Sequence, residues 1–294
     1  MIPWIGLIGL LISIFSPAVG TLFIIPTSGK MLYEKKQANL HFFFIWVTAS
    51  IITWFLGIIN HIQLINIVFG VGLSIFLVFE FLKKKFNIDI IFMILLFYNS
   101  LFMLIRQLIF AKTIFADYKR SVDEAIKILS SRFNDNPEQF QLFMDMVEIT
   151  KEFYLKYSPG IWIGTFLLCL MIAYYFFSKG YFHINILKKY RTNVFVIYTF
   201  VIALALTVIN PTKIIAINYL IALVPLFFIQ GIAIIQKKIG YWFLLSKILL
   251  IIAIFSLILN PYLVLFISVI GLFDNWFDFR NLSQLEDSHE NNSN

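Results

Sequence analysis

Long apolar runs constrain this chain more than any other feature. A helix needs about 20 largely apolar residues to cross roughly 30 Å of hydrocarbon. The sequence offers Trp4–Ile25, His41–Ile59, Leu64–Leu82, Ile90–Ala111, Ile161–Phe177, Val194–Ile209, Ile214–Ile235 and Tyr241–Leu259. With 60% hydrophobic and 13% charged residues, the chain lies far from a soluble domain, which carries about 25% charged residues. Disorder is excluded more firmly still, since it needs low hydrophobicity and high net charge. The fold class expected is an all-α membrane protein, a polytopic helical bundle of about eight transmembrane helices.

The two ends need separate treatment. Trp4–Ile25 carries no preceding Lys or Arg and no small-x-small cleavage site, so it is expected to stay as helix one. Pro17 within it and Pro26 at its end are expected to kink or terminate it. At the other end, Pro261–Phe273 follows Tyr241–Leu259 with no charged separator. The expectation is a break at Asn260–Pro261 and a short terminal helix that lies along the membrane or re-enters it. That gives eight crossings, with nine left open. The polar tail 281–294 reads as disordered.

Between helices four and five lies the one long polar excursion, Lys112–Tyr157, with seven basic residues matched by eight acidic ones. Phe115, Tyr118, Val122, Ile126, Leu129 and Phe133 recur at helical spacing. Asn134-Asp135-Asn136 breaks the pattern, and Asn136 then caps a second helix with Pro137 at its first position. Ser158-Pro159-Gly160 is expected to end that helix. The chain thus divides into a membrane half (1–111), an amphipathic hairpin outside the membrane (112–159) and a second membrane half (160–280). The hairpin either packs on itself and the outer face or forms a lid or docking surface.

Orientation follows the basic residues of the loops. Lys30, Lys35 and Lys36, Lys83–Lys85, Lys179, Lys188, Lys189 and Arg191, and Lys237 and Lys238 fall on one side. That side is expected to be cytoplasmic, with the N-terminus and the hairpin outside. These clusters of a few charges suit lipid headgroups; nucleic acid finds no platform, although the net charge is +7.

Ionisable and amide groups within lipid are costly, so each is a candidate for function. Asn99 and Arg106 lie seven apart on one helix face and can line a cavity, while the long Arg106 stem can instead snorkel to the outer interface. Asn218 and Tyr219 sit within helix seven, placed for interhelical hydrogen bonds or for a ligand. In Gly271–Arg280, aromatics alternate with charges, so Asp274, Trp276, Asp278 and Arg280 read as a surface anchor at the headgroups or a partner-docking motif.

No catalytic constellation accompanies them. The four His include no helical pair around an acid. Neither a P-loop nor a Gly-x-Ser-x-Gly elbow occurs, and the single Cys169 reads as packing. No enzyme activity, metal or cofactor is expected.

The segment Gly271, Leu272, Asp274, Trp276, Asp278 and Arg280 resembles the ending of the YybS-like bacterial membrane proteins, an uncharacterised family classed as domain of unknown function 2232. The layout of four helices, a hairpin closed by Pro159 and further helices is similar too. That family has been grouped with the substrate-binding components of energy-coupling-factor vitamin transporters. The resemblance therefore implies a solute bound among the helices and energy from separate ATPase and coupling subunits. A scaffold or assembly partner in an envelope complex, using the hairpin and Gly271–Arg280 as contacts, is the alternative.

Overall fold

A computed structural model describes residues 9, 12, 13, 16–130, 137–183, 190–239 and 260–281. The described residues form an all-α bundle, and five of its helices are long and apolar enough to cross a membrane. Trp4–Ile8, the Asn134–Asn136 break, the Tyr241–Leu259 run and the tail after Asn281 lie outside the described residues.

Helix α1 spans Pro17–Glu34. Pro17 occupies its first turn, where the missing N–H has no helical partner to lose. Of the two outcomes expected at Pro26, termination does not occur: it lies inside, and the helix runs on to Glu34. Pro26 leaves the Leu22 carbonyl without its helical donor, and Thr27 Oγ1 donates to the next carbonyl, Phe23 O, at 2.6 Å. Helix α2 (Ala38–Phe55) follows, then α3 (His61–Lys83). Asn60 and Gln63 open α3 with a reciprocal capping box. Its Asn66–Gly72 stretch is π-helical, and two carbonyls there take side-chain donors from neighbouring helices. Trp46 Nε1 donates to Ile67 O at 2.8 Å and Tyr98 OH to Phe69 O at 2.5 Å.

Helices α4 (Ile88–Ser130) and α5 (Pro137–Tyr181) correct the expected boundaries. The helices of the polar excursion are not separate pieces, because each continues a membrane helix without a break. With 43 and 45 residues, each extends about 65 Å at 1.5 Å per residue, against about 30 Å of hydrocarbon. The surplus is an arm standing off one end of the bundle, where the Tyr118 and Tyr154 rings stack at 4.9 Å.

Helix α6 (Val194–Leu206) stops short of the expected Ile209, and α7 spans Lys213–Ile239. The last described helix, α8 (Pro261–Phe277), starts where Asn260 accepts from the Tyr262 amide at 3.0 Å and Pro261 takes the first position. It does not lie along a surface. Ser268 Oγ donates to Val224 O of α7 at 3.3 Å, and Asp274 meets Gln230, so α8 runs parallel to α7 and stands beside it. Gly271 makes this approach possible, since a Cβ there would strike the Phe227 carbonyl. Small residues of this kind let membrane helices close on one another where lipid offers no hydrophobic drive.

The core is shared by α1, α3, α4, α5 and α7. Ile24, Val71, Phe79, Leu95, Phe166 and Leu223 are all fully buried there.

Candidate functional site

Two constellations, one at each end of the bundle, gather Asn218 and Tyr219, and Asp274, Asp278 and Arg280. The first lies at the arm end, between α4, α5 and α7. Pro159 sits within α5 and has no N–H to give the preceding turn. In an unbroken helix the next amide, Gly160 N–H, would bond the Lys156 carbonyl. Here Gly160 N–H donates to Asn218 Oδ1 at 2.7 Å, and Asn218 Nδ2 donates to Lys156 O at 2.8 Å. The amide of α7 is thus inserted between two backbone groups of α5. A Cβ on residue 160 would collide with the Asn218 backbone, so the close approach requires Gly160. Asn218 Nδ2 also donates to its own Ile214 O at 2.8 Å. Both N–H groups of this side chain and one lone pair of its oxygen are therefore engaged within the protein, and its role is interhelical.

Beside this junction is a groove of about 560 Å³. Leu101 and Leu104 of α4, Ile163 of α5, and Ile214 and Ile215 of α7 supply apolar walls, and Asn218 and Tyr219 are part of the lining. Tyr219 OH shares a hydrogen bond with Thr199 Oγ1 at 2.8 Å, and its ring stacks on Phe97. Leu101 and Ile215 are also more than half exposed on the bundle's outer surface, so the groove opens sideways towards hydrocarbon. Two polar side chains of α4, Ser100 and Gln107, line it too, and Ser100 Oγ and Gln107 Oε1 are buried without a hydrogen-bond partner. A buried acceptor left unmade costs about 1–3 kcal/mol, and a bound molecule can relieve it.

Asn99 and Arg106 are not brought into this groove. Asn99 is fully buried and donates to Leu95 O at 2.8 Å and Ser74 Oγ at 3.1 Å, tying α4 to α3. Arg106 lies half-buried, with Nη1 3.7 Å from Met103 Sδ and Nε without a partner. The helix does not end one turn beyond Arg106 as the apolar run suggested, because α4 continues to Ser130. The residues the sequence reading missed, Ser100 and Gln107, stand one position after each of those two and share their seven-residue spacing.

The second constellation is at the opposite end. Asp274 and Arg280, expected as an exposed anchor, are buried against each other, with Arg280 Nη2 2.7 Å from Asp274 Oδ2. The turn that allows this comes from Asp278, which ends α8 in a left-handed conformation at φ 43°. A short polar residue tolerates that region better than most, and the chain folds back over the helix end. Arg280 Nη2 also donates to Tyr190 O at 2.7 Å, and Lys237 Nζ donates to Arg280 O. Gln230 of α7 completes the clasp. Its Nε2 donates to Asp274 Oδ2 at 3.0 Å, and its Oε1 accepts from Thr192 N–H and Oγ1. Burial pushes the Tyr190 phenol well above its ordinary pKa; Asp89 adds to the rise, while Thr192 and Arg280 oppose it. Of the four candidates, Trp276 stays on the surface at 56% exposure, as suits an aromatic at the headgroups. Asp278 is half-buried.

Among the described residues no group of three His, Cys, Asp or Glu could hold a metal ion. No curated protein and no solved structure matches the chain. A family model described as predicted membrane protein (DUF2232) matches residues 5–275, a stretch that includes Asp274 and stops before Trp276, Asp278 and Arg280. The chain therefore belongs to the DUF2232 family of predicted membrane proteins.

Proposed function

We propose that this chain is a non-enzymatic solute-binding component of a transport system in the bacterial cytoplasmic membrane, working with separate ATPase and coupling subunits. The observation that carries the reading is the side groove. Its volume of about 560 Å³ falls within the roughly 300–1,000 Å³ of small-molecule sites, which are apolar with a few placed polar groups. The unpartnered Ser100 Oγ and Gln107 Oε1 are such groups. The resemblance to substrate-binding subunits supports the division of labour with an ATPase.

The hairpin arm and the N-terminus belong outside in this reading. Lys83 Nζ donates to the carbonyls of Lys35 and Lys36, gathering those basic loops at the end away from the arm. Lys237 lies with Arg280 at the clasp. Basic loops favour the cytoplasmic side.

Purification of the full chain from its native membrane tests the assignment. An ATPase module should accompany it in fixed proportion. Recovery with a stable protein partner that has no nucleotide site, and with no small molecule bound, would replace transport by the scaffold reading.

A further inference from the structure

The arm carries an apolar stripe that the solute-binding reading does not use. On α5, Leu142, Met146, Ile149 and Phe153 are each more than half exposed. Their spacings of four, three and four residues place them on one face of the helix, in the pattern of a helix-pairing seam. The stripe does not meet α4, whose Tyr118 packs on α5 at Tyr154, about 100° round the helix from Phe153. It is also clear of the bilayer core. Phe153 lies eight residues, about 12 Å, before Ile161, where the apolar run of α5 begins. Asp145, Glu148, Lys151 and Glu152 are interspersed with it. Four large apolar side chains in water along about 16 Å of helix call for a partner.

The flanking charges say which partner. Asp145, Glu148 and Glu152 form one edge of a shallow depression of about 550 Å³ whose floor includes Ile149 and Phe153. Lys156 closes its membrane end and is paired with Glu152 at 3.3 Å. Asp145 accepts from Gln141 at 3.0 Å. Tyr157 completes the lining, in which three acidic side chains face the single basic Lys156. A second copy laid antiparallel on this face would set Asp145 and Glu152 against their equivalents, and like charges across such a seam are unfavourable. An anionic lipid surface is repelled by the same edge. An amphipathic helix bearing Lys or Arg beside its apolar face complements both features.

We infer that the exposed face of α5 in the arm, Leu142–Phe153 with its acidic edge, docks a basic amphipathic helix of a partner protein. This does not rest on the groove, and either can fail alone. The test uses the full-length protein in zwitterionic nanodiscs and a labelled helical peptide of Leu and Lys, with an otherwise identical Leu and Glu peptide as control. Fluorescence anisotropy, corrected for empty nanodiscs, should show saturable binding of the Lys peptide alone. Charge reversal by Asp145→Lys with Glu148→Lys should weaken it about tenfold or more, and Ile149→Asp should do the same. The milder Glu148→Gln, which adds no new charge, should weaken it to a smaller degree. Three results would overturn the inference: no saturable binding, equal binding of both peptides, or affinity unchanged by the substitutions. Concentration-dependent self-association abolished by Ile149→Asp would also overturn it and assign the face to a second copy.

Discussion

Asn218 of α7 holds both ends of an interrupted hydrogen bond in α5, accepting from Gly160 N–H at 2.7 Å and donating to Lys156 O at 2.8 Å. Its place beside Pro159 explains how one helix can run from the tip of the arm to the far side of the bundle. It also makes the arm and the groove mechanically continuous, since Lys156, Pro159 and Asn218 all line the groove.

Removing that bridge should be costly. Asn218→Leu leaves a backbone donor and a backbone acceptor without partners, at about 1–3 kcal/mol each. Reversible unfolding in bicelles should show a loss of about 2–4 kcal/mol. In a Pro159→Ala background the helix can close its own Gly160–Lys156 bond, so the Asn218→Leu cost should fall by about 1 kcal/mol. Equal costs in both backgrounds would mean the amide does not substitute for the helical bond.

The clasp gives a different signature. Arg280→Leu or Asp274→Leu alone leaves a charge buried without its partner and should cost about 3–5 kcal/mol. Replacing both with Leu should cost less than either single change, because no orphan charge remains. Proteolysis within 260–281 should follow the same order. A double variant as unstable as the two singles added together would show that the pair is not coupled.

These two junctions also mark where sequence reasoning reached its limit. Apolar runs are a bulk property, so the membrane class and most helices were legible from them. The start of α8 was legible too, because Asn260 and Pro261 are local signals. Pro159 looked like a terminator because the group that repairs the helix comes from 58 residues away. Asp274 and Arg280 looked solvated because alternating charges at a membrane end usually are. Only the left-handed turn at Asp278 brings them together. Ser100 and Gln107 went unnoticed beside Asn99 and Arg106 because one residue rotates a helix face by about 100°, and the neighbouring helix decides which face matters.

Tyr190 should make the protein sensitive to alkali. Its folded pKa is raised, so the folded chain holds the phenol proton more tightly than the unfolded chain does. The associated stability is fully present below the unfolded pKa of about 10 and is lost as pH rises above it. Unfolding midpoints measured from pH 8 to 11 should fall more steeply for the wild type than for Tyr190→Phe. Parallel alkaline limbs would contradict the assignment.

Orientation is open to direct measurement. A reporter inserted within Asn134–Asn136 should report the outside, and a second reporter after Lys85 should report the cytoplasm. The opposite pair of signals would invert the bundle and place the arm inside the cell.

Native mass spectrometry of the purified full chain tests most directly whether the groove between α4, α5 and α7 holds a small solute. The wild type should carry a non-covalent small-molecule mass. Leu104→Trp, which fills the groove, and Gln107→Leu, which removes an unpartnered oxygen, should each reduce it, while Leu108→Trp, on the exposed surface of the same helix, should leave it unchanged. A wild type with no bound mass, or a mass that persists undiminished in the filled variant, would contradict the account.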